Sequence, residues 1–150
     1  MSVSLDKRDL NTINRFVKKF PKVVDKAVGK TSERGTAVIV KKTPRAFGGA
    51  KRSWGFKRLQ QFIWLIFSTV AHTVYLEEGT GIHGPKKRVI KPRKAKMLRW
   101  VDPGTGDVIW AKQVRGIRPV AMVKSSIGLI TKIMTQEIKK RVAKEWSRRV

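Results

Sequence analysis

The chain reads as an α+β protein, a small antiparallel sheet with a β-hairpin packed by an N-terminal helix and a long C-terminal amphipathic helix. Three observations predict this. Apolar residues recur at helical spacing in the first and last thirds, short β-branched and aromatic runs lie between, and a Pro- and Gly-bearing turn joins two of those runs. With 150 residues, 41% of them apolar, the chain suits a single domain over 1–150 with a packed core.

In the first helix Ser4 can serve as N-cap, and Asp6 and Asp9 favour the positive end of the helix dipole. Leu10, Ile13, Phe16, Val17, Phe20 and Val24 form its apolar face. Pro21 predicts a kink or two abutting helices, with an end near Gly29. Thr36 to Val40 is β-branched and predicts a strand. Lys41 to Arg58 mixes Pro44, Gly48, Gly49 and Gly55 with basic residues and two aromatics, which predicts a long mobile loop. Gln60 to Val70 is apolar on both alternating faces and predicts a strand covered on both sides, by the core and by a helix or a neighbouring subunit.

Met97 to Val101 and Val108 to Val114 flank Asp102-Pro103-Gly104-Thr105-Gly106-Asp107 and predict a hairpin, with Trp100 and Trp110 within packing reach across it. After Pro119, Ile127, Ile130, Met134, Ile138, Val142 and Trp146 fall three or four apart and predict the last helix. Glu137 with Arg141 and Glu145 with Arg149 are i,i+4 pairs on it, each contributing about 0.3 kcal/mol.

Charge is the chain's strongest anomaly. Thirty-five Lys and Arg stand against ten Asp and Glu, a formal net charge of +25. From Arg34 to Tyr75 there is no acid, and a second acid-free block carries Lys86, Lys87, Arg88, Lys91, Arg93, Lys94, Lys96 and Arg99. Such crowding repels itself and is relieved by a polyanionic partner, nucleic acid by default. There is no Cys, hence no disulfide framework, thiolate metal site or Cys nucleophile, a composition that suits a reducing cytosol. The longest apolar run, Phe62 to Phe67, is far shorter than the ~20 residues of a membrane span. Met1 to Leu10 has no apolar signal core, so the mature chain is expected to start there.

Groups that could carry catalysis are few. Glu77 and Glu78 are adjacent and on a strand would face opposite ways, so they make no carboxylate pair by themselves. His72, His83, Glu77 and Glu78 lie close in sequence but lack the spacing of a metal site. Gly79-Thr80-Gly81 with Gly84-Pro85-Lys86-Lys87 departs from a phosphate-cradling loop and reads as a turn leaving a strand. No enzyme, cofactor or metal is expected. Phe47, Trp54 and Phe56, interleaved with cations, suit either base stacking or a protein interface.

Val74-Tyr75-Leu76-Glu77-Glu78-Gly79-Thr80-Gly81 resembles the signature of a small tail-component family of long-tailed phages, the head-tail connector, neck or tail-completion proteins. Tyr75 takes the position of the family's Tyr, either Glu77 or Glu78 that of its acid, and Gly79, Thr80 and Gly81 its triplet. Ile90-Lys91-Pro92, the basic run into Trp100, Val108 to Lys112 and Gly116-Ile117-Arg118-Pro119 follow in the family's order. The match weakens at Ala46-Phe47-Gly48-Gly49, and Thr36 to Val40 has no obvious counterpart.

The resemblance implies a structural virion protein, made in the host cytoplasm and built into a ring of six or twelve copies at the head-tail junction. It implies partners among the connector or head-closure and tail-tube or tail-terminator proteins, and passage of double-stranded DNA read without sequence preference, with no membrane involved. The subunit contacts expected on this basis are Phe47, Trp54, Phe56, Phe62, Trp64, Ile66, Tyr75, Glu78, Gly79, Thr80 and Gly81. The contacts to DNA or an acidic partner are Lys41, Lys42, Arg45, Lys51, Arg52, Lys57, Arg58, Lys86, Lys87, Arg88, Arg93 and Lys94. The alternative is a free, sequence-independent nucleic-acid-binding protein. A metal-dependent nuclease on Glu77, Glu78 and His83 is the third reading.

Overall fold

The computed structural model describes residues 6–45, 48–102 and 104–148. Ser4, Phe47, Pro103 and Arg149, each named above, lie outside them. Among the described residues there are four α-helices and two two-stranded antiparallel sheets, an α+β fold. The helices are α1 (Lys7–Lys42), α2 (Gly48–Arg52), α3 (His72–Glu78) and α4 (Ile127–Ser147), and the strands are β1 (Trp54–Gln60), β2 (Ile63–Ser68), β3 (Leu98–Val101) and β4 (Val108–Ala111). The chain divides into two compact units: residues 1–35, 56–66 and 128–150 form one, and residues 36–55 and 67–127 the other.

The helix expected to end near Gly29 instead continues unbroken through Pro21 to Lys42, and the expected Thr36 to Val40 strand forms its last turns. Burial along one face overrides the β-branched composition. Ala27, Thr31, Gly35, Ile39 and Thr43 recur every four residues and are all buried, whereas Glu33, Ala37 and Lys41, which a strand would place on the same face, are exposed, a pattern that suits a helix. Hydroxyls on this helix turn back onto it, Thr31 donating to the Ala27 carbonyl at 2.9 Å, Ser32 to Val28 at 3.0 Å and Thr43 to Ile39 at 2.9 Å, so their polar groups are paired within the helix.

In the first unit, β2 lies against α1 where α1 has no side chain. A Cβ on Gly29 would meet the Trp64 ring at 2.6 Å, and one on Gly35 would meet Ile66 and Ile130 at 3.3 Å. Mid-helix glycine costs about 1 kcal/mol against alanine, which the close approach of the indole offsets. Phe16 meets Trp146 edge-on at 5.2 Å, and Arg34 pairs with Glu137 at 2.7 Å. The predicted Glu137–Arg141 pair forms at 3.6 Å.

In the second unit the expected Lys41 to Arg58 loop is replaced by the end of α1, by α2 and by β1. Trp54 Nε1 donates to Thr43 Oγ1 at 3.1 Å, Ser53 and Ser68 hydroxyls lie 2.6 Å apart, and Thr69 N–H donates to the Ser53 carbonyl. These bonds order a segment whose composition alone reads as loop. Ile39, Ala50, Leu76, Met122 and Ser126 are its fully buried residues.

The single strand expected over Gln60 to Val70 is shorter: Gln60 closes β1, Gln61 and Phe62 turn, and β2 runs from Ile63 to Ser68. The β3–β4 hairpin forms where expected, with Arg99 opposite Trp110 and Trp100 opposite Ile109. Trp100 and Trp110 therefore take opposite faces, and Arg99 rather than Trp100 covers Trp110, its guanidinium carbon 5.6 Å from the ring centre.

Candidate assembly surfaces

The Tyr75 to Gly81 segment is a helix followed by a backbone crossing, not a turn leaving a strand. Tyr75, Leu76, Glu77 and Glu78 complete α3, so the two glutamates lie about 100° apart around a helix rather than on opposite faces of a strand. After them the chain crosses residues 115–117. Thr80 N–H donates to the Ile117 carbonyl at 2.9 Å, Ile82 N–H to the Arg115 carbonyl at 2.8 Å, and Ile117 N–H to Thr80 Oγ1 at 3.0 Å. Gly81 at φ 63° and Gly116 at φ 87° are left-handed, and a Cβ on either would collide with the backbone of the other segment. Gly79, Thr80 and Gly81 thus build an internal joint.

Glu77 serves that same unit. Its two carboxylate oxygens each accept a backbone N–H, from Val123 and Lys124, both at 2.9 Å, capping the turn that leads to α4. This role was not visible in the sequence, where the partner lies 46 positions away and follows no capping pattern. Glu78 is exposed, and Tyr75 is 58% exposed, so the tyrosine is a surface ring. Among the described residues no group of three His, Asp or Glu side chains is placed to hold a metal ion.

Beside this joint lies a groove of about 610 Å³. Leu76, Ile90, Trp100, Val114 and Ile117 line it together with His72, Tyr75, Thr80, Arg115 and Gly116. Ile90 and Val114 exchange both backbone hydrogen bonds, at 2.9 and 3.0 Å, which ties the second acid-free block to the groove wall.

In the other unit the β1–β2 hairpin has two unlike faces. Trp64 and Ile66 point at the α1 glycines, whereas Leu59, Ile63 and Leu65 remain 56%, 46% and 39% exposed. Phe56 is partly exposed and packs its ring against Trp64 at 6.3 Å. Phe62 sits in the turn at φ 66°, a left-handed conformation rare for an aromatic. Its N–H donates to Asp25 Oδ1 at 2.9 Å, Trp64 Nε1 donates to the same oxygen at 3.3 Å, and Arg58 pairs with Oδ2 at 2.9 Å. The Phe62 hydrogen bond, followed by those of Trp64 and Arg58, holds the Asp25 carboxyl below its ordinary value of 3.8 against the opposing effect of burial.

Of the basic residues singled out, Arg58 is engaged with Asp25, and Lys42 Nζ donates to the Ser125 carbonyl at 2.6 Å and its hydroxyl at 3.0 Å. Lys51 is half-buried. Lys41, Arg45, Arg52, Lys57, Lys86, Lys87, Arg88, Arg93 and Lys94 are exposed. Trp54 is held inward by Thr43, so it contributes to the fold of its unit more than to a surface. Among the described residues no helix is long and apolar enough to cross a membrane. No protein-family model, no curated protein and no solved structure matches the chain.

Proposed function

We propose that this is a structural, non-catalytic assembly protein of the head-tail junction of a long-tailed phage, forming a ring through which double-stranded DNA passes. The observation that carries the reading is the amount of aromatic and aliphatic surface left uncovered on both units, including Leu59, Phe62, Ile63, Tyr75, Trp100 and Trp110. Isolated exposed apolar residues are ordinary, but an outward sheet face built of them is the mark of an interface. A ring reuses one such heterologous contact until the rotation closes. The resemblance of Tyr75 to Gly81 and of Ile90 to Pro119 to the tail-completion pattern supplies the virion context. The exposed cations supply a sequence-independent affinity for phosphate.

Native mass spectrometry of the chain, alone and mixed with the structural proteins encoded beside it, tests the reading. Closed rings of a fixed copy number are the expected species. Monomers in every mixture would overturn it.

A second reading, a free nucleic-acid-binding protein, is favoured by the exposure of eleven of the twelve expected contact cations. It predicts binding as a small species whose affinity falls by about 10³ to 10⁵ between 50 and 200 mM salt if six to ten phosphates are neutralised. A ring component is expected to bind isolated duplex more weakly than that.

A further inference from the structure

We propose that the groove walled by Leu76, Ile90, Trp100, Val114 and Ile117 takes an apolar side chain presented by an acidic segment of a partner protein. The inference borrows from the assembly reading only the class of occupant, a protein; the site itself rests on the groove's apolar lining, on Arg115 within it and on the charge of the block to which Ile90 belongs. At about 610 Å³ the groove admits one large side chain and its neighbours, and its walls are aliphatic and aromatic. The backbone of a DNA duplex offers nothing that such walls would bury, and a small polar molecule would find few side chains to orient it, His72, Tyr75, Thr80 and Arg115. The Thr80 hydroxyl already accepts the Ile117 N–H.

Charge complementarity names the rest of the occupant. Ile90, bridged to Val114 in the groove lining, belongs to the block from Lys86 to Arg99 with its eight cations and no acid, and Arg115 stands among the lining residues themselves. The acids of this unit do not balance the block. Both Glu77 oxygens are held by Val123 and Lys124, and Asp102 Oδ1 accepts from Gly104 and Thr105 within the hairpin turn. Glu78 and Asp107 remain against the eight cations. A segment of Asp and Glu around a central aromatic or aliphatic anchor therefore satisfies the apolar lining, Arg115 and the basic block that carries Ile90 together.

The test uses the full chain with methyl- and indole-labelled side chains and two synthetic peptides of Asp and Glu, one with Leu-Phe at its centre and one with Ser-Ser. The Leu-Phe peptide is expected to shift the Ile90, Val114 and Ile117 methyl and Trp100 indole resonances and to bind about tenfold tighter than the Ser-Ser peptide. Tyr75→Ala and Arg115→Glu, both at exposed positions, are each expected to weaken it by about tenfold with an unchanged circular dichroism spectrum. Equal binding of both peptides without shifts in the groove would overturn the proposal. So would displacement of the Leu-Phe peptide from these resonances by a short oligothymidylate, which would make nucleic acid the occupant. Rings that assemble without groove shifts would sink the groove and leave the assembly reading standing. Groove shifts in a chain that stays monomeric in every mixture would do the reverse.

Discussion

At the scale of single residues, the strongest constraints are placed where backbone or a ring comes too near for a side chain. Gly81→Ala would force a Cβ into the Arg115 carbonyl from a left-handed conformation, and a loss of roughly 3 kcal/mol or more is expected in urea unfolding. Gly29→Ala raises helix propensity yet meets the Trp64 ring at 2.6 Å, so a net loss of about 1–3 kcal/mol is expected where propensity alone would give a gain. Thermal melts of the two variants check both signs. Asp25 provides a pH dependence. Its folded carboxyl titrates below 3.8, so its contribution is complete above that value and is lost as the pH falls through the lowered one. The parent chain should therefore lose stability on acidification below about pH 4 more steeply than Asp25→Asn, which lacks the titrating group. Parallel acid profiles for the two would refute the Asp25 assignment.

At the scale of elements, what the sequence made legible was set by how local the cause is. The β3–β4 hairpin and α4 were readable because their signals, a Gly-bearing turn and a three-four apolar spacing, act within a dozen residues. The second half of α1 was not, because five β-branched or small residues in a row outweighed a stripe at every fourth position whose burial depends on strands further along the chain. The region from Lys41 to Arg58 hid its order for the same reason: Trp54 finds Thr43, and Ser53 finds Ser68, only after folding. The Gly79 to Gly81 joint was visible as a motif, but its partner at 115–117 was not. The β1–β2 turn carries the element-scale prediction. Phe62 in a left-handed conformation costs on the order of 1–2 kcal/mol. Phe62→Asn should therefore keep or raise the thermal midpoint of the isolated chain while weakening its self-association, read by sedimentation velocity. A variant that melts much earlier would show instead that the ring is needed for the fold.

At the scale of the whole molecule, the net charge of +25 is carried mostly by exposed side chains, with Arg34, Lys42 and Arg58 among those engaged internally. Affinity for duplex DNA should accordingly fall uniformly across unrelated sequences as salt rises, and the slope should shrink by about one for each removed phosphate contact, with Lys86→Ala and Arg93→Ala the substitutions to measure. A sequence-dependent slope would argue against backbone recognition. The division into two units has a further consequence, for synthesis. Neither unit is a continuous stretch of chain: one needs residues 1–35, 56–66 and 128–150, whereas the other is complete once residue 127 has been made. On the ribosome the second unit can close while the first still waits for α4. Until α4 arrives, Ile66 and Gly35 lack Ile130, and Phe16 lacks Trp146. The order of translation thus delays the first unit, holding its half of α1 and the β1–β2 hairpin incomplete until late in the chain's emergence, when self-association is the competing fate of that surface.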